Sequence, residues 1–513
     1  MGVLTALSGA ASAQTSRLPR TSDGKPDLQG IWQVRNAADT DLAAAPGVVE
    51  GGAIPYQASA TAKKRANFAR RKSADPVASC FFPGVPRIMY MPHPVQIFQN
   101  PGQVAMTFAW SSVHRLINTT GKAPLHEGIE SWMGTSTGKW DGDTLVVKVA
   151  DNNDKTWFDM AGKFHSEALT VTERYTMPDA DSIDYQATLE DAKVFTKPWK
   201  IHVVLVRQKN LPRIPEFECQ AEKEEANGAF ERETHTWYPK AGARPAPPEQ
   251  DATATSPLPP SGPLSALQPG TKLRRGADGK PDLNGYYQSD NGTANQGLER
   301  HAKIEFTPAT RGIVADPPDG MLPYRPWARK EQIDRQQPYR GYDDPTAHCF
   351  VAGVPRSMYV PSPMQILQAP GYVVVLHERM SWRVIPLDGR AHMPETSRYW
   401  QGDSVGHWEG DTLVVDTTNL NGKTWLNEFG DVVSHAEHVV ERFVPVSENK
   451  VIYRATVMDP IVYNKPWTIE IPMNREQEEL LEVACHEDNG DLQHLKDTRD
   501  EYRAKQKKET KAK

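Results

Sequence analysis

Histidine and carboxylate side chains gather at three points in the second half of this 513-residue chain. His377, Glu378 and Arg379 end the apolar run "YVVVL", His392 follows the turn "DGR", and His435, Glu437 and His438 fall within "SHAEHVVERF". An imidazole beside a carboxylate in a dry pocket can move protons near neutral pH, because its ordinary pKa of roughly 6.5 is easily poised by its surroundings. Glu378 or His392 is therefore expected to remove a proton, His438 to return it, and Arg379 to steady developing negative charge. His377 completes the candidate catalytic set, although alternation along a strand lets only Glu378 or the His377/Arg379 pair face any one cavity. His435 and His438 would need a further ligand to hold a metal, and no recognised ligand spacing is present, so no metal is expected. The chain has no GxSxG elbow, phosphate-binding loop, dinucleotide glycine fingerprint or HExxH, and no organic cofactor is expected.

Aromatic residues supply the other half of a site. Trp382, Tyr399, Trp400, Trp110 and His114 are the candidates for substrate contact, with Trp132 beside them,. The tryptophans at 140 and 408, 157 and 425, and 199 and 467 occur in matching places and are expected to pack the core.

Matching places exist because the chain is a duplication. "DGKPDLQGIW" from Asp23 returns as "DGKPDLNGYY" from Asp278, and "CFFPGVPRIMYMPHPVQIFQNPGQV" from Cys80 as "CFVAGVPRSMYVPSPMQILQAPGYV" from Cys349. "WDGDTLVVKV" from Trp140 returns as "WEGDTLVVDT" from Trp408, with order preserved throughout,. Residues 239–272 hold nine prolines and read as an extended linker,. The repeats are then 21–238 and 273–490, preceded by a signal-peptide remnant or disordered start (1–20) and followed by a charged tail (491–513).

Within each copy the dominant signal is short strands of period two broken by turns, as in "TLVVDT", with helices expected only near "TAKKRANFARR" and "PWARKEQIDRQQ",. This predicts an all-β chain of two tandem antiparallel barrels of about eight strands each. Lys148 and Asp416, the residues that differ within the repeated decapeptide, fall on the solvent face and are expected to drift freely.

Two cysteines stand at matching positions in each copy. Cys80 with Cys219, and Cys349 with Cys485, are expected to form one disulfide per repeat, each worth about 4 kcal/mol in the chain-entropy account. A stretch ending Ala11-Ser12-Ala13-Gln14 resembles a signal-cleavage site and points to a periplasmic or secreted protein,. The net charge of -6, with both signs interspersed, excludes the basic field of a nucleic-acid binder,. No run of the chain is long and apolar enough for a membrane span.

The ordered motifs "PDLxGxW", "PGVPR", "PxPxQIxQxPGxV", "WEGDTLVVDT" and "KPW" resemble a group of exported bacterial proteins that share the W-[DE]-G-D-T-L-V-V signature. The tandem-barrel pattern is similar to lipocalin-type (calycin) folds. That second resemblance implies either a carrier of apolar ligands or a cofactor-free hydratase, isomerase or cyclase. The expectation is an exported lyase, hydratase or isomerase acting by His and carboxylate chemistry on a small apolar or aromatic compound. The alternatives are a non-catalytic carrier and a surface-assembly module. Polarity of the cavity discriminates: convergent titratable groups favour the enzyme, a greasy cavity the carrier, and filled barrels the module.

Overall fold

The structure, a computed structural model, describes residues 18–226, 272–289, 295, 297–302, 309–487 and 489–512. The expected export signal and the Pro-rich linker lie almost wholly outside these residues.

Nine strands of the first copy pair in chain order: β1 (Gly30–Val34), β2 (Val95–Asn100), β3 (Gln103–Phe108), β4 (His114–Asn118), β5 (Thr135–Asp141), β6 (Thr144–Ala150), β7 (Thr170–Asp179), β8 (Ser182–Glu190) and β9 (Trp199–Arg207). They close a barrel when β9 returns to β1. The second copy supplies β10 (Gly285–Ser289), β11 (Val314–Asp316), β12 (Met364–Ala369), β13 (Tyr372–His377), β14 (Ser381–Pro386), β15 (Asp403–Glu409), β16 (Thr412–Thr418), β17 (His438–Ser447), β18 (Lys450–Met458) and β19 (Trp467–Glu476). Its sheet runs β14-β13-β12-β10-β19-β18-β17-β16-β15, with β11 paired to β19, and stops short of closure between β14 and β15. Two tandem barrels of mainly antiparallel strands are thus present, with nine and ten strands among the described residues rather than about eight. The additional strands include the short "GIWQV" and "GYYQS" segments, which pair with the last long strand of each copy.

Helices are few: α1 (Thr61–Ala74) and α3 (Pro326–Arg335) fall in the two expected basic segments, α2 (Ala221–Ala226) is short, and the charged tail forms α4 (Asp491–Ala512). No described helix is long and apolar enough to cross a membrane. Both expected disulfides form, Cys80 to Cys219 and Cys349 to Cys485.

Alternation decides what faces inward. Along β7, Val171, Glu173, Tyr175 and Met177 are buried between more exposed neighbours, and along β8 the buried set is Ile183, Tyr185, Ala187 and Leu189. Each barrel interior is filled by one apolar cluster. Within it sits a fully buried ion pair, Arg115 on Glu173 in the first barrel and Arg383 on Glu441 in the second. Tyr185 donates to Glu173 Oε1 at 2.8 Å, and Tyr453 to Glu441 Oε1 at 2.7 Å. A desolvated pair is tolerated only when its remaining acceptors are bonded in this way. Large apolar side chains and a satisfied ion pair thus occupy each interior; the filled barrels by themselves favour the assembly module, and a small molecule would have to be held outside them.

The seam lies in the same place in both copies. β4 and β5 meet through a single parallel bridge, Asn118 with Thr137, and β14 and β15 do not pair. Side chains seal it: Arg115 Nε donates to Ser136 Oγ at 2.9 Å and Arg383 Nε to Ser404 Oγ at 3.0 Å. Glycine permits the approach, since a Cβ on Gly138 would lie 2.7 Å from Ile117 Cγ2 and one on Gly406 2.8 Å from Ile385 Cγ2.

The barrels pack through the outer faces of β2 and β3 against β12 and β13, where Phe98 and Ala105 join Leu367, Val374 and Leu376 in one apolar cluster. Each copy then sends an arm across to the other barrel. Glu216, beyond β9, accepts the backbone amides of Trp400 and Gln401. Glu482, beyond β19, accepts those of Trp132 and Met133 at 2.7 and 2.9 Å. A few residues on, Cys219 and Cys485 tie each arm back to its own copy.

Candidate functional site

The second-copy histidines do not meet as one centre. His377 pairs with Ser381 at the turn between β13 and β14, whereas His392 follows Pro386 at the far end of that hairpin. Glu378 stays with the turn, accepting Ser362 Oγ at 2.9 Å and the Leu481 amide of the second arm at 3.3 Å. Arg379 beside it is exposed. The expected set of His392, Glu378 and His438 is thus split between the two ends of the barrel.

Asp416 assembles a different group. Its Oδ1 lies 3.2 Å from His392 Nε2 and 2.9 Å from His438 Nε2, while His392 Nδ1 faces Asp403 Oδ2 at 3.2 Å. The expectation that Asp416 is a freely drifting surface residue is corrected: it faces solvent but joins two imidazoles. Lys148 holds that place in the first copy, so the change of charge within the repeated decapeptide was the available signal. The cluster is half exposed, and none of the grooves described below includes His392, Asp416 or His438. Among the described residues no group of three or more His, Cys, Asp or Glu is arranged to hold a metal ion.

His377 and His114 come from different copies and lie near one another, His377 on the inward register of β13 that it shares with Val373 and Val375. Both are buried. Burial pushes the His377 imidazole down to about 3, helped by the neighbouring His114 and Arg383. Burial alone pushes His114 down to about 4. Each ring keeps one buried nitrogen without a partner, Nε2 of His377 and Nδ1 of His114. Both are therefore uncharged at neutral pH.

The aromatic candidates are mostly interface residues. Trp382 donates to Phe108 O at 3.0 Å across the barrel contact. Trp110 stacks on Phe217 of the first arm with ring centres 5.1 Å apart. Trp400 stacks on Phe350 at 5.1 Å beside the amides held by Glu216, and the Arg213 guanidinium lies 3.8 Å from the centre of the Tyr399 ring. Of the candidates for substrate contact, His114 and Trp132 line a large open space.

That space is a groove of about 500 Å³ over the seam of the first barrel, roofed by the second arm. His114, Leu116, Trp132 and Met133 form its barrel side, Glu479 to Glu482 its arm side, and Tyr286 of β10 reaches in from the second barrel. Trp132 stacks on Phe81 at 4.9 Å and donates through Nε1 to Glu487 Oε2 at 2.8 Å. Burial raises the Glu482 carboxyl to about 7, against the lowering effect of its two backbone donors. Lys155 pairs with Glu487 and holds that carboxyl below its usual range. The counterpart groove over the second seam keeps only about 30 Å³ open.

Sequence reasoning missed Glu482, Glu487 and the arms. Their chemistry comes from the far end of the other copy, and no local pattern announces a segment that crosses between barrels. A further buried group, Glu437, stands where the first copy has Leu169; neither of its carboxylate oxygens has a partner, and burial, with Asp459 nearby, raises its pKa well above the ordinary value.

Comparison with protein-family models, with curated proteins and with solved structures finds no match for this chain.

Proposed function

We propose that the chain is an exported protein that works on a small, partly apolar or aromatic compound held in the groove between the barrels. The reaction is a proton-transfer step of the lyase, hydratase or isomerase kind, carried out by side chains without an organic cofactor. The observation that carries this reading is the meeting of a carboxyl poised at about 7, Glu482, and an uncharged imidazole, His114, on the walls of one ligand-sized groove. A group titrating near the working pH both takes and returns protons effectively. Glu482 is accordingly the acid-base group and His114 a neutral hydrogen-bonding partner for the oxygen on which charge develops. Export accords with the two disulfides, which persist in oxidising compartments,.

The test is deuterium uptake from heavy water into a panel of small carbonyl and enol-forming aromatic compounds, followed by proton NMR. Exchange is expected with the native protein and not with Glu482→Gln or with His114→Trp, which installs the residue that the second copy has there and fills the groove. Exchange that persists in both variants would remove the proposed centre, and binding without exchange would favour the carrier. A second reading places proton transfer at His392, Asp416 and His438, favoured by the shared carboxylate oxygen between the two rings. Loss of exchange in Asp416→Lys, the first-copy residue, with retention in Glu482→Gln would select it.

A further inference from the structure

The two copies build the same groove and fill it differently. Over the seam between β14 and β15, the groove holds a cation of the protein itself. Arg213, carried in by the first arm, lies over Tyr399 and donates to Gly402 O at 3.0 Å, Asp403 Oδ1 at 3.3 Å and Glu216 Oε1 at 3.2 Å. Arg390 adds a second guanidinium on Asp403 Oδ1 at 3.0 Å. These side chains leave about 30 Å³ open.

In the first copy the second arm follows the same course, and Glu482 repeats the part of Glu216 on two backbone amides. Where Arg213 stands on the first arm, the second arm has Glu479. A guanidinium is thus exchanged for a carboxylate, and about 500 Å³ opens. The remaining charges lean the same way. Glu130 and Asp154 also line the space, as does His126 with its Nε2 3.3 Å from Glu479 O, whereas Arg115 is committed to Glu173 inside the barrel and Lys155 to Glu487. The rim is apolar: Ile129 and Leu481 line the groove and are exposed, and Leu125 beside them, held by its amide on Glu479, is 61% exposed. On the barrel side His114, 5% exposed, adds an imidazole with a ring nitrogen that no protein group satisfies.

Low-dielectric walls carrying one sign of charge concentrate the opposite charge. Carboxylates bond ammonium and guanidinium groups through charge-assisted hydrogen bonds, and an apolar rim covers the hydrocarbon to which such a group is attached. We propose that the first-copy groove takes an organic cation from outside, an ammonium or guanidinium on an apolar or aromatic body, in the place that Arg213 fills in the second copy. This rests on the groove being the working site and names the class of compound that enters it.

Calorimetric titration of the full chain with phenylguanidinium and benzylammonium, against neutral benzyl alcohol and anionic benzoate, tests it. The cations are expected to bind at least tenfold more tightly than benzyl alcohol, with benzoate weakest and the preference shrinking as salt is added. Glu479→Arg, which recreates the second-copy arrangement, is expected to abolish cation binding with the thermal unfolding curve retained. Glu479→Gln, should the arginine variant fail to fold, is expected to weaken the cations about tenfold and leave benzyl alcohol unchanged. Cations that bind both variants as tightly as the native chain would be bound elsewhere, which overturns the inference. Benzyl alcohol or benzoate binding as tightly as the cations, and losing that binding in His114→Trp, overturns the charge preference while sparing the groove as a site. No binding by any of the four compounds overturns both readings.

Discussion

Replacing His377 by phenylalanine tests whether the end of the second barrel holds an uncharged imidazole at a cost that depends on pH. Phe108 has the matching register in the first copy, paired with Val95 as His377 is with Met364, and joins the apolar cluster of the first barrel, so the duplicated fold already accepts a phenyl ring at this place. Burial, reinforced by His114 and Arg383, holds the His377 imidazole at about 3, whereas an unfolded chain titrates at roughly 6.5. The folded protein therefore takes up this proton less readily than the unfolded chain, and acid favours unfolding. The contribution is intact above pH 6.5 and is lost progressively as pH falls from there toward the folded value. Between pH 7 and pH 4.5 the loss is about 2.5 kcal/mol from this one group. Urea unfolding of the native chain and of His377→Phe at the two pH values reads it directly. The variant is expected to be at least as stable at pH 7, since it removes a buried nitrogen without a partner,. At pH 4.5 its advantage should be larger by about 2.5 kcal/mol. An advantage that is the same at both pH values would mean that His377 does not resist protonation in the folded state, which refutes the prediction.

Glu437→Leu, which installs the first-copy residue, is expected to stabilise the second barrel by about 1 to 3 kcal/mol. Because burial raises this carboxyl, its unfavourable share appears as pH rises above the unfolded value of roughly 4.3, so the gain in urea unfolding should be larger at pH 8 than at pH 5. Gly406→Ala places a methyl against Ile385 and Leu387 across the seam and is expected to cost about 1 to 3 kcal/mol, read as a lowered Tm; an unchanged Tm would show that the seam has slack. Joint Cys349→Ser and Cys485→Ser replacement reopens a loop of sequence separation 136 and should cost about 4 kcal/mol. It should also weaken any ligand of the first-copy groove, whose roof is the arm that Cys485 anchors, as calorimetry would register.

Much of the architecture was legible because it is written twice and depends on local periods. Alternation in "TLVVDT", the apolar runs before each turn and the paired cysteines pointed to two stapled β-structures, and both disulfides and both barrels are present. Gly142 and Gly410 sit in the two-residue turns of the β5–β6 and β15–β16 hairpins, each with φ of 60° at the first turn position, as a tight hairpin of primed type requires. The strand count was short because "GIWQV" and "GYYQS" are too brief to announce themselves and become strands only by pairing with the end of their own copy. The candidate site was less legible. His392 and His438 stand out in the sequence, but nothing there separates Glu378 from them, because sequence proximity does not say which end of a hairpin a residue occupies.

What the amino-acid sequence determined by itself is the duplication, the strand-rich class and the cysteine pairing, all of which follow from short-range periodicity or from comparing one half with the other. What only the tertiary structure decided is where open space lies. Whether a barrel is filled depends on the summed volume of side chains from nine strands, and here apolar residues and a buried Arg-Glu pair fill it. The groove exists because an arm from one copy lies across the seam of the other. Its chemistry joins residues some 350 positions apart, as Trp132 and Glu482 show, and no local period in the sequence records contacts at that separation.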